Sequence, residues 1–263
     1  MLLWILKIIG GLLLLLVLLI GGLALTLHAN PPTSFFEVRL NDTGQDASDK
    51  STVLIFGATR NTGFMVAQLL TERGDKVTAF VRPTSDRTEL EKLGVDFVVG
   101  DAMDIETVEA AFSAGEYRAA LTTIGCLSCN PPPDYQANAN IIAAAKAAGV
   151  QRLVLVTSIG SGDSLDATPM LSKRVLAKTL PLKTKAEEDL RASGLDYTII
   201  RPGGLRSGHH TGNGVLTEDI NTFGFIFRED LAELLVAVLD DDRSIGKTLA
   251  AVDSKRQWPW ANE

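Results

Sequence analysis

The segment 52–63, TVLIFGATRNTG, constrains the fold of this chain more than any other. Thr52–Phe56 is an apolar run with β-branched residues, which is typical of a buried parallel strand. Gly57 and Gly63 enclose a short turn, and a helix with apolar periodicity follows from Phe64. A strand, a glycine turn and a helix in this order direct backbone N–H groups and a helix N-terminus at a phosphate. The segment therefore predicts a nucleotide-binding α/β domain.

Two arginines favour NADP(H) over NAD(H) as the nucleotide. The glycine pattern G-x-x-G-x-x-G would place a glycine at position 60, where this chain has Arg60. This arginine keeps the backbone N–H and adds a guanidinium that suits an additional phosphate. The second strand ends at Arg82, where an NAD site uses a carboxylate for the ribose hydroxyls. Because arginine binds a 2′-phosphate bidentately, we expect NADP(H) as the cofactor.

Strand-like and helix-like segments alternate regularly after position 52. We expect strands at 76–81, 95–99, 119–123, 153–157, 197–201 and 248–252, and helices at 64–73, 87–93, 105–112, 135–148, 183–192 and 229–239. A regular βα alternation predicts a doubly wound parallel sheet. We therefore expect a single Rossmann-like α/β domain at 52–257, with its ligands at the carboxyl ends of the strands.

The N-terminal segment is apolar. Residues 8–27 are twenty residues without a charge. As a helix with a rise of ~1.5 Å per residue they would span ~30 Å, the thickness of the hydrocarbon core of a bilayer. The run is longer than the ~7–15 apolar residues of a signal peptide. We therefore expect a retained transmembrane helix at 1–27 that anchors the chain in a lipid bilayer.

Two polar segments flank the expected domain. Residues 28–51 read as a flexible linker, in which Phe35 and Phe36 either dip into the membrane interface or dock on the domain. The tail at 258–263 carries Trp258 and Trp260, which suit the membrane interface or the edge of the sheet.

The net charge of −7 disfavours nucleic acid as a partner and an electrostatic hold on an anionic bilayer. Lys7 precedes the apolar segment, and the positive-inside rule therefore leans towards a domain on the far side of the membrane. The pool of nicotinamide cofactor lies inside the cell, however, and the charge bias amounts to one or two groups. We expect a single-pass protein with its domain on the cytoplasmic face.

Cys126 and Cys129 follow the fourth strand with the spacing C-x-x-C, and the chain has two cysteines. Two cysteines make no disulfide framework. The pair reads as reduced thiols packed in a loop, as a redox-active dithiol near a hydride donor, or as half of a zinc site completed by His209 and His210. We favour the first interpretation and expect no metal ion.

Five segments together resemble the atypical short-chain dehydrogenases/reductases, in the NAD(P)H-binding, NmrA-like group that includes the biliverdin/flavin reductases. They are GATRNTG (57–63), VVGD (98–101), LVLVTSIGSGDS (153–164), KAEEDLRASGLDYTIIRPGGL (185–205) and FREDLAELLVAVLDD (227–241). The resemblance covers about 52–252. These motifs are specific for the fold and the cofactor but weak for the substrate.

The resemblance implies a set of cofactor-binding residues. Those at the phosphates are Gly57, Thr59, Arg60, Asn61, Thr62 and Gly63. At the adenosine, Arg82 is expected to contact the phosphate and Asp101 the adenine amine. An aspartate at position 101 also suits a helix N-cap, but Asp104 fits that role better. Those along the rest of the cofactor are Thr123, Gly125, Thr157, Pro202 and Gly203, with Ser158 near the nicotinamide.

The chain departs from the wider superfamily at the Tyr-x-x-x-Lys motif, whose lysine holds the nicotinamide ribose and lowers the pKa of the tyrosine. Lys185 is identified with that lysine, but Pro181 stands four residues before it. Ser158, Ser161 and Tyr135 are the candidate replacement hydroxyls, and Lys185, Ser158 and Tyr135 form the expected catalytic set.

The missing tyrosine leaves two functions open. The first is an oxidoreductase that moves hydride from NADPH to a small flavin-, quinone- or carbonyl-type substrate, which can take its proton from water. The second is a non-catalytic NADP(H) sensor or scaffold that docks a protein partner at the membrane. The glycine-rich loop at 203–227 reads as a functional lid, in which His209 and His210 either meet an anionic substrate or are solvated.

Overall fold

The computed structural model describes residues 2–26, 30–38 and 52–255, with the side chains of the first helix described at 8–21. The strands are β1 (Thr52–Phe56), β2 (Val77–Val81), β3 (Asp96–Val99), β4 (Tyr117–Thr122), β5 (Arg152–Val156), β6 (Asp196–Pro202), β7 (Gly204–Arg206), β8 (Gly214–Thr217), β9 (Phe225–Phe227) and β10 (Lys247–Asp253). The helices are α1 (Leu2–Thr26), α2 (Asn61–Arg73), α3 (Thr88–Lys92), α4 (Ile105–Ser113), α5 (Gln136–Ala148), α6 (Met170–Val175), α7 (Leu180–Ala192) and α8 (Arg228–Asp240).

Eight strands form one sheet in the order β3-β2-β1-β4-β5-β6-β10-β8. Every pair is parallel except β10 with β8. The order reverses between β1 and β4, which is the switch point of a doubly wound sheet. The expected Rossmann-like α/β sheet is confirmed.

Helices cover both faces of the sheet, so its strands are apolar on both sides. On one face α2 packs against α8, and on the other α4 packs against α5 and α5 against α7. The central strand β1 divides its side chains between the two cores: Val53 and Ile55 face one, and Leu54 and Phe56 face the other, all with no exposure. The sheet is therefore a rigid support for the loops at its carboxyl edge.

The segment between β6 and α8, expected as one long loop, contains three short strands. β7 pairs with β9 in a separate two-stranded sheet, and β8 extends the main sheet antiparallel to β10. Strands of three or four residues give too short a pattern for sequence recognition, because their stability comes from partners far along the chain.

The N-terminal part differs from expectation. Among the residues that the structure describes, no helix is both long and apolar enough to cross a membrane, so the expected membrane anchor finds no support here. The segment 30–38 lies within the expected linker, and of the two alternatives for its phenylalanines the structure shows docking of Phe36 on the domain. The N–H of Asn30 bonds to Phe223 O at 2.7 Å, and that of Phe36 to Leu216 O at 2.7 Å. The ring of Phe36 packs against the core. The tail with Trp258 and Trp260 lies outside the described residues.

Candidate cofactor and active site

The turn after β1 brings backbone segments so close together that side chains are excluded. Gly57 has φ of +89°, and a Cβ on it would lie 2.6 Å from Thr123 Oγ1. A Cβ on Gly63 would lie 2.2 Å from Gly57 O. The two glycines let the first turn of α2 pack directly on the end of β1, which leaves an open cradle before the helix N-terminus.

The cradle fits the phosphates of a dinucleotide. Thr62 Oγ1 is buried at the start of α2 and has no hydrogen-bond partner among the described residues, so a ligand oxygen would satisfy it. Asn61 adopts a left-handed conformation with φ of 52°, which asparagine tolerates better than most residues. Arg60 occupies the N-cap position with no side-chain cap bond, so its guanidinium remains free to reach a ligand.

A cavity of about 1040 Å³ extends from this cradle along the carboxyl edge of the sheet. Its volume is at the upper end of the ~300–1,000 Å³ usual for ligand sites. The lining includes all the residues expected at the cofactor except Lys185: Gly57, Thr59, Arg60, Asn61, Thr62, Gly63, Arg82, Asp101, Thr123, Gly125, Thr157, Pro202 and Gly203. Ser158, from the expected catalytic set, lines it too.

Charged groups gather at the adenosine end of the cavity. Arg60 follows β1 and Arg82 follows β2, and both are exposed on the cavity wall. Asp101 also lines the wall, and its Oδ1 accepts the N–H of Met103 at 2.9 Å. Asp104, not Asp101, caps α4 by accepting the N–H of Glu106 at 3.1 Å.

Two of the three expected catalytic residues lie outside the cavity. Neither Lys185 nor Tyr135 belongs to the lining, and Lys185 Nζ instead lies 3.9 Å from the centre of the Tyr135 ring. Lys183, on the same helix, lines the cavity. An α-helix turns by ~100° per residue, so lysines two positions apart point to opposite sides. The structure therefore places Lys183 on the cavity wall, two residues before the expected Lys185.

The residue four positions before Lys183 is not a tyrosine. Four residues before Lys183 stands Thr179, which also lines the cavity and is 2 % exposed. Thr179 Oγ1 donates to Leu176 O at 3.3 Å. Thr179 and Lys183 thus share the four-residue spacing of the Tyr-x-x-x-Lys motif of the wider superfamily, and no tyrosine lines the cavity.

Lys183 is held by a buried carboxylate. Its Nζ lies 2.9 Å from Asp134 Oδ1, and the two side chains are 13 % and 1 % exposed. Asp134 Oδ2 accepts the N–H of Cys126 at 3.0 Å. Sequence analysis missed both residues. Asp134 lies in a loop, two positions before α5, and comes into contact with Lys183 only in the folded chain.

A second buried ion pair lies behind the cavity wall. Arg201 binds Glu187 through Nε at 3.0 Å and Nη2 at 2.6 Å, and the two side chains are 3 % and 0 % exposed. Burial lowers the pKa of Arg201, but the bonds and charges of Glu187 and Asp163 outweigh it and raise that pKa above its ordinary value. Thr157 Oγ1 donates to Glu187 Oε1 at 2.7 Å, which fixes its hydroxyl at the end of β5.

The C-x-x-C pair is oxidised in the structure. Cys126 and Cys129 form a disulfide, and both line the cavity. The expectation of reduced, packed thiols was therefore wrong. The half-zinc interpretation fails for the same reason, because disulfide sulfurs are not thiolate ligands.

The histidines of the loop before α8 do not line the cavity. His210 Nε2 lies 2.9 Å from Glu233 Oε2 and 3.4 Å from Asp230 Oδ1, a group whose donor atoms are close enough for a metal ion. Asp230, however, is already an acceptor for the N–H groups of Thr211 and Gly212 at 3.0 and 2.8 Å. The cluster therefore holds the loop to α8, and its His210, one of the two histidines suggested for an anionic substrate, does not line the cavity.

The end of the cavity away from the cradle is largely apolar. Ile159 and Phe223 are buried there, Phe225 is half-buried, and Leu127 and Leu205 are exposed at the mouth. Arg228, at the start of α8, adds a cation to this end and donates from Nη1 to Ser207 Oγ at 3.0 Å. Apolar walls with a few polar groups are typical of a site for a small organic ligand.

The doubly wound sheet, the glycine cradle and the two-ended cavity define a dinucleotide-binding protein with room for a second ligand. The chain belongs to the NAD(P)H-binding family, whose sequence profile matches residues 57–242. This confirms, at the level of the family, the expected nicotinamide cofactor.

The chain is similar to proteins named as reductases and to one named as an uncharacterized sugar epimerase. The solved structure of ChuY, an anaerobillin reductase from Escherichia coli, superposes with a TM-score of 0.73 at 30% identity, covering 79% of this chain and 100% of that one. Sanguinarine reductase of Eschscholzia californica is 30% identical, covering 74% of this chain and 86% of its own. The uncharacterized sugar epimerase YhfK of Bacillus subtilis is 30% identical over 72% and 88% of the two chains.

Proposed function

We propose that the protein is an oxidoreductase that uses NADPH to deliver hydride to a small acceptor of flavin, quinone or carbonyl type. The observation that carries this proposal is one continuous cavity, whose lining includes Arg60 and Arg82 together with Lys183 and an apolar chamber. A protein that only binds the nucleotide needs only the part of the cavity that carries the arginines. The reductases among the relatives support the same class of reaction.

The preference for NADPH follows from the charges at the adenosine end. Arg60 and Arg82 both line the wall there, and neither forms an ion pair with a described carboxylate. Two uncommitted guanidinium groups match the doubly charged 2′-phosphate, whereas the ribose of NADH offers hydroxyls that favour a carboxylate.

Lys183 is the residue proposed to hold the nicotinamide ribose. It lies on the cavity wall, and its pairing with Asp134 restricts the ammonium to one position. A lysine that donates to the ribose hydroxyls fixes the orientation of the nicotinamide, and orientation is a large part of what a hydride-transfer enzyme supplies. The cofactor, when bound, supplies the hydride.

The hydroxyls near the expected nicotinamide position are poor proton donors in this arrangement. Thr157 donates its proton to Glu187 Oε1, and Ser158 Oγ donates to Ile159 O at 3.0 Å. With no tyrosine on the wall, the acceptor is one that takes its proton from water. Flavins and quinones meet this condition, which is why they rank above simple carbonyls.

The apolar chamber, lined by Phe223, Phe225 and Leu205, is proposed to bind the acceptor. Phe223, Phe225 and Leu205 come from the segment between β6 and α8, and that segment is tied to the domain by Asp230. Their side chains bury the flat face of an acceptor and exclude water from the reacting atoms, which strengthens every electrostatic contact inside.

One observation favours the alternative, a protein that binds NADP(H) without turnover and responds to it. Thr179 at the tyrosine position cannot act as the general acid of the wider superfamily, because its hydroxyl already donates to Leu176 O. The apolar chamber argues against this alternative, since a sensor of the cofactor has no use for a second ligand site.

Steady-state oxidation of NADPH by the purified full chain tests the proposal. Free FMN, a water-soluble benzoquinone and a small aldehyde are the acceptors, and NADPH affinity is measured in parallel by titration. Turnover with flavin or quinone supports the proposal. Tight binding of NADPH without turnover of any acceptor would favour the alternative.

A further inference from the structure

The Cys126–Cys129 disulfide occupies a position from which it can act on the cofactor site. It lies in the loop between β4 and α5, and both cysteines contribute to the cavity wall. Cys129 and its neighbours Leu127 and Ser128 are exposed, whereas Cys126 is half-buried. A thiolate from solution therefore has access to the sulfur of Cys129 first.

A direct chain of contacts joins the disulfide to Lys183. The N–H of Cys126 donates to Asp134 Oδ2 at 3.0 Å, and Asp134 Oδ1 lies 2.9 Å from Lys183 Nζ. The carboxylate is 1 % exposed, so solvent has little access to replace either partner. The position of the Cys126 backbone and that of the Lys183 ammonium are therefore set by the same carboxylate.

Because of the packing at Gly125, the ion pair between Lys183 and Asp134 is sensitive to the position of the loop that carries the disulfide. A Cβ at this position would lie 2.8 Å from Lys183 Nζ and 3.0 Å from Asp134 Oδ1. The backbone just before Cys126 is thus in close contact with both members of the ion pair. A loop that shifts by even the width of a methyl group would collide with the pair or withdraw from it.

We propose that Cys126–Cys129 is a thiol–disulfide exchange site for a dithiol reductant, and that its redox state sets the affinity of the cavity for NADP(H) through Asp134 and Lys183. This inference rests on the role proposed above for Lys183. The disulfide closes a ring within a solvent-exposed loop, and such a ring removes conformations that the reduced loop is free to adopt.

The exchange needs no other oxidant or reductant. A thiolate of the dithiol attacks Cys129 Sγ, a mixed disulfide forms, and the bond to Cys126 breaks with the electron pair on Cys126 Sγ, which takes up a proton. The second thiol of the reductant then attacks the mixed disulfide and releases Cys129 as a thiol. The protein gains two electrons and two protons, and the dithiol becomes a cyclic disulfide.

Oxidised and reduced forms are expected to differ in NADPH affinity by ~5-fold or more, the lower end of usual couplings between sites. The oxidised form binds more tightly, because its loop holds Asp134 and Lys183 in place. The full chain is equilibrated with oxidised or reduced dithiothreitol, free thiols are counted by alkylation and mass measurement, and the Kd of NADPH is determined for each form.

Variants separate the disulfide from general damage to the loop. The double variant Cys126→Ser, Cys129→Ser should bind NADPH like the reduced form and ignore dithiothreitol. Ser128→Ala, which leaves the disulfide intact, should keep the full redox response. Asp134→Asn should weaken binding in the oxidised form and abolish the difference between the two forms, with thermal unfolding measured to show that it folds.

Three results would overturn the inference. They are a disulfide that resists dithiothreitol in the native protein, equal Kd values for the two forms, and a lack of NADPH binding by both. A failure of the proposed reductase activity is a separate result, because thiol counts and Kd values are measured without turnover.

Discussion

Lys183 Nζ lies 2.9 Å from Asp134 Oδ1, and this contact fixes which lysine of α7 belongs to the cavity. Lys185, two residues on, lies instead over the ring of Tyr135. The ion pair also links helix α7 to the loop after β4, which contains both Asp134 and Cys126. The function proposed here depends on Lys183 at this position.

The two lysines give a matched pair of variants. Lys183→Gln keeps a hydrogen bond to Asp134 but loses the charge, and it should weaken NADPH binding about tenfold, the effect of one charge-assisted hydrogen bond of ~1.5 kcal/mol. Lys185→Gln should leave the Kd unchanged. A larger effect at Lys185 than at Lys183, in the same titration, would return the motif to the register first inferred from sequence.

Arg60 and Arg82 should determine the preference for NADPH over NADH. Arg60→Ala with Arg82→Ala removes the proposed contacts to the 2′-phosphate, so the Kd of NADPH should rise by ~100-fold while that of NADH stays within about threefold. Arg87→Ala is the control, because Arg87 contacts the ring of Phe97 rather than the cavity. Equal losses for the two cofactors would refute the assignment.

Gly63 should tolerate no side chain. Gly63→Ala would place a Cβ 2.2 Å from Gly57 O, and because that atom is backbone the turn must move. NADPH binding should be lost or reduced by at least ~100-fold. The control is Gly115→Ala, where the nearest atom to the new Cβ is Tyr117 Oη at 3.2 Å. If Gly63→Ala binds NADPH normally, the cradle is not the phosphate site.

The buried pair behind the wall should contribute chiefly to stability. Glu187→Gln removes the charge that compensates Arg201 and should lower the free energy of unfolding by ~3 kcal/mol, measured by urea denaturation. Glu188→Gln, the exposed neighbour on the same helix, should change it by less than ~0.5 kcal/mol. Similar values for the two variants would contradict the buried role of Glu187.

The contact between Arg201 and Asp163 should make stability depend on acid pH. Burial raises the pKa of Asp163, but the hydrogen bond and charge of Arg201 outweigh it and lower that pKa below the ordinary value. A carboxylate with a lowered folded pKa stabilises the protein above its unfolded pKa of ~3.9, and this contribution is lost as the pH falls through the folded value.

A comparison with Asp163→Asn measures this contribution. The melting temperature of the native protein should exceed that of the variant at neutral pH. The difference should begin to shrink as the pH falls below ~4 and vanish once the pH passes the lowered pKa of Asp163. Other acidic groups affect both proteins alike and cancel. A difference that stays constant over this range would exclude an ionic role for Asp163.

The parts of the structure that sequence predicted well are those with local signals. β1, the glycine turn and α2 follow one another along the chain, and their pattern identified the cofactor cradle. Each later strand of the parallel sheet also lies within two residues of its expected bounds at either end. These elements are specified by apolar periodicity over their own length.

The errors occur where the decisive partner is distant in sequence. Helix α7 begins at Leu180 rather than at position 183, and the lysine facing the cavity could be chosen only once Asp134 was seen beside it. The strands β7 to β9 have the same origin, because their partners also lie far along the chain. In each case a contact formed by folding, not a local pattern, determines the conformation.

Hydride transfer itself is tested most directly with NADPH carrying deuterium on one or the other face of the nicotinamide ring. The full chain is supplied with each labelled cofactor and with flavin or quinone, and the NADP⁺ produced is analysed by mass. A cofactor held in one orientation by Lys183 predicts that the label leaves from one face and is retained on the other. If no NADP⁺ forms with any acceptor, or if the label leaves both faces equally, the protein does not work as proposed.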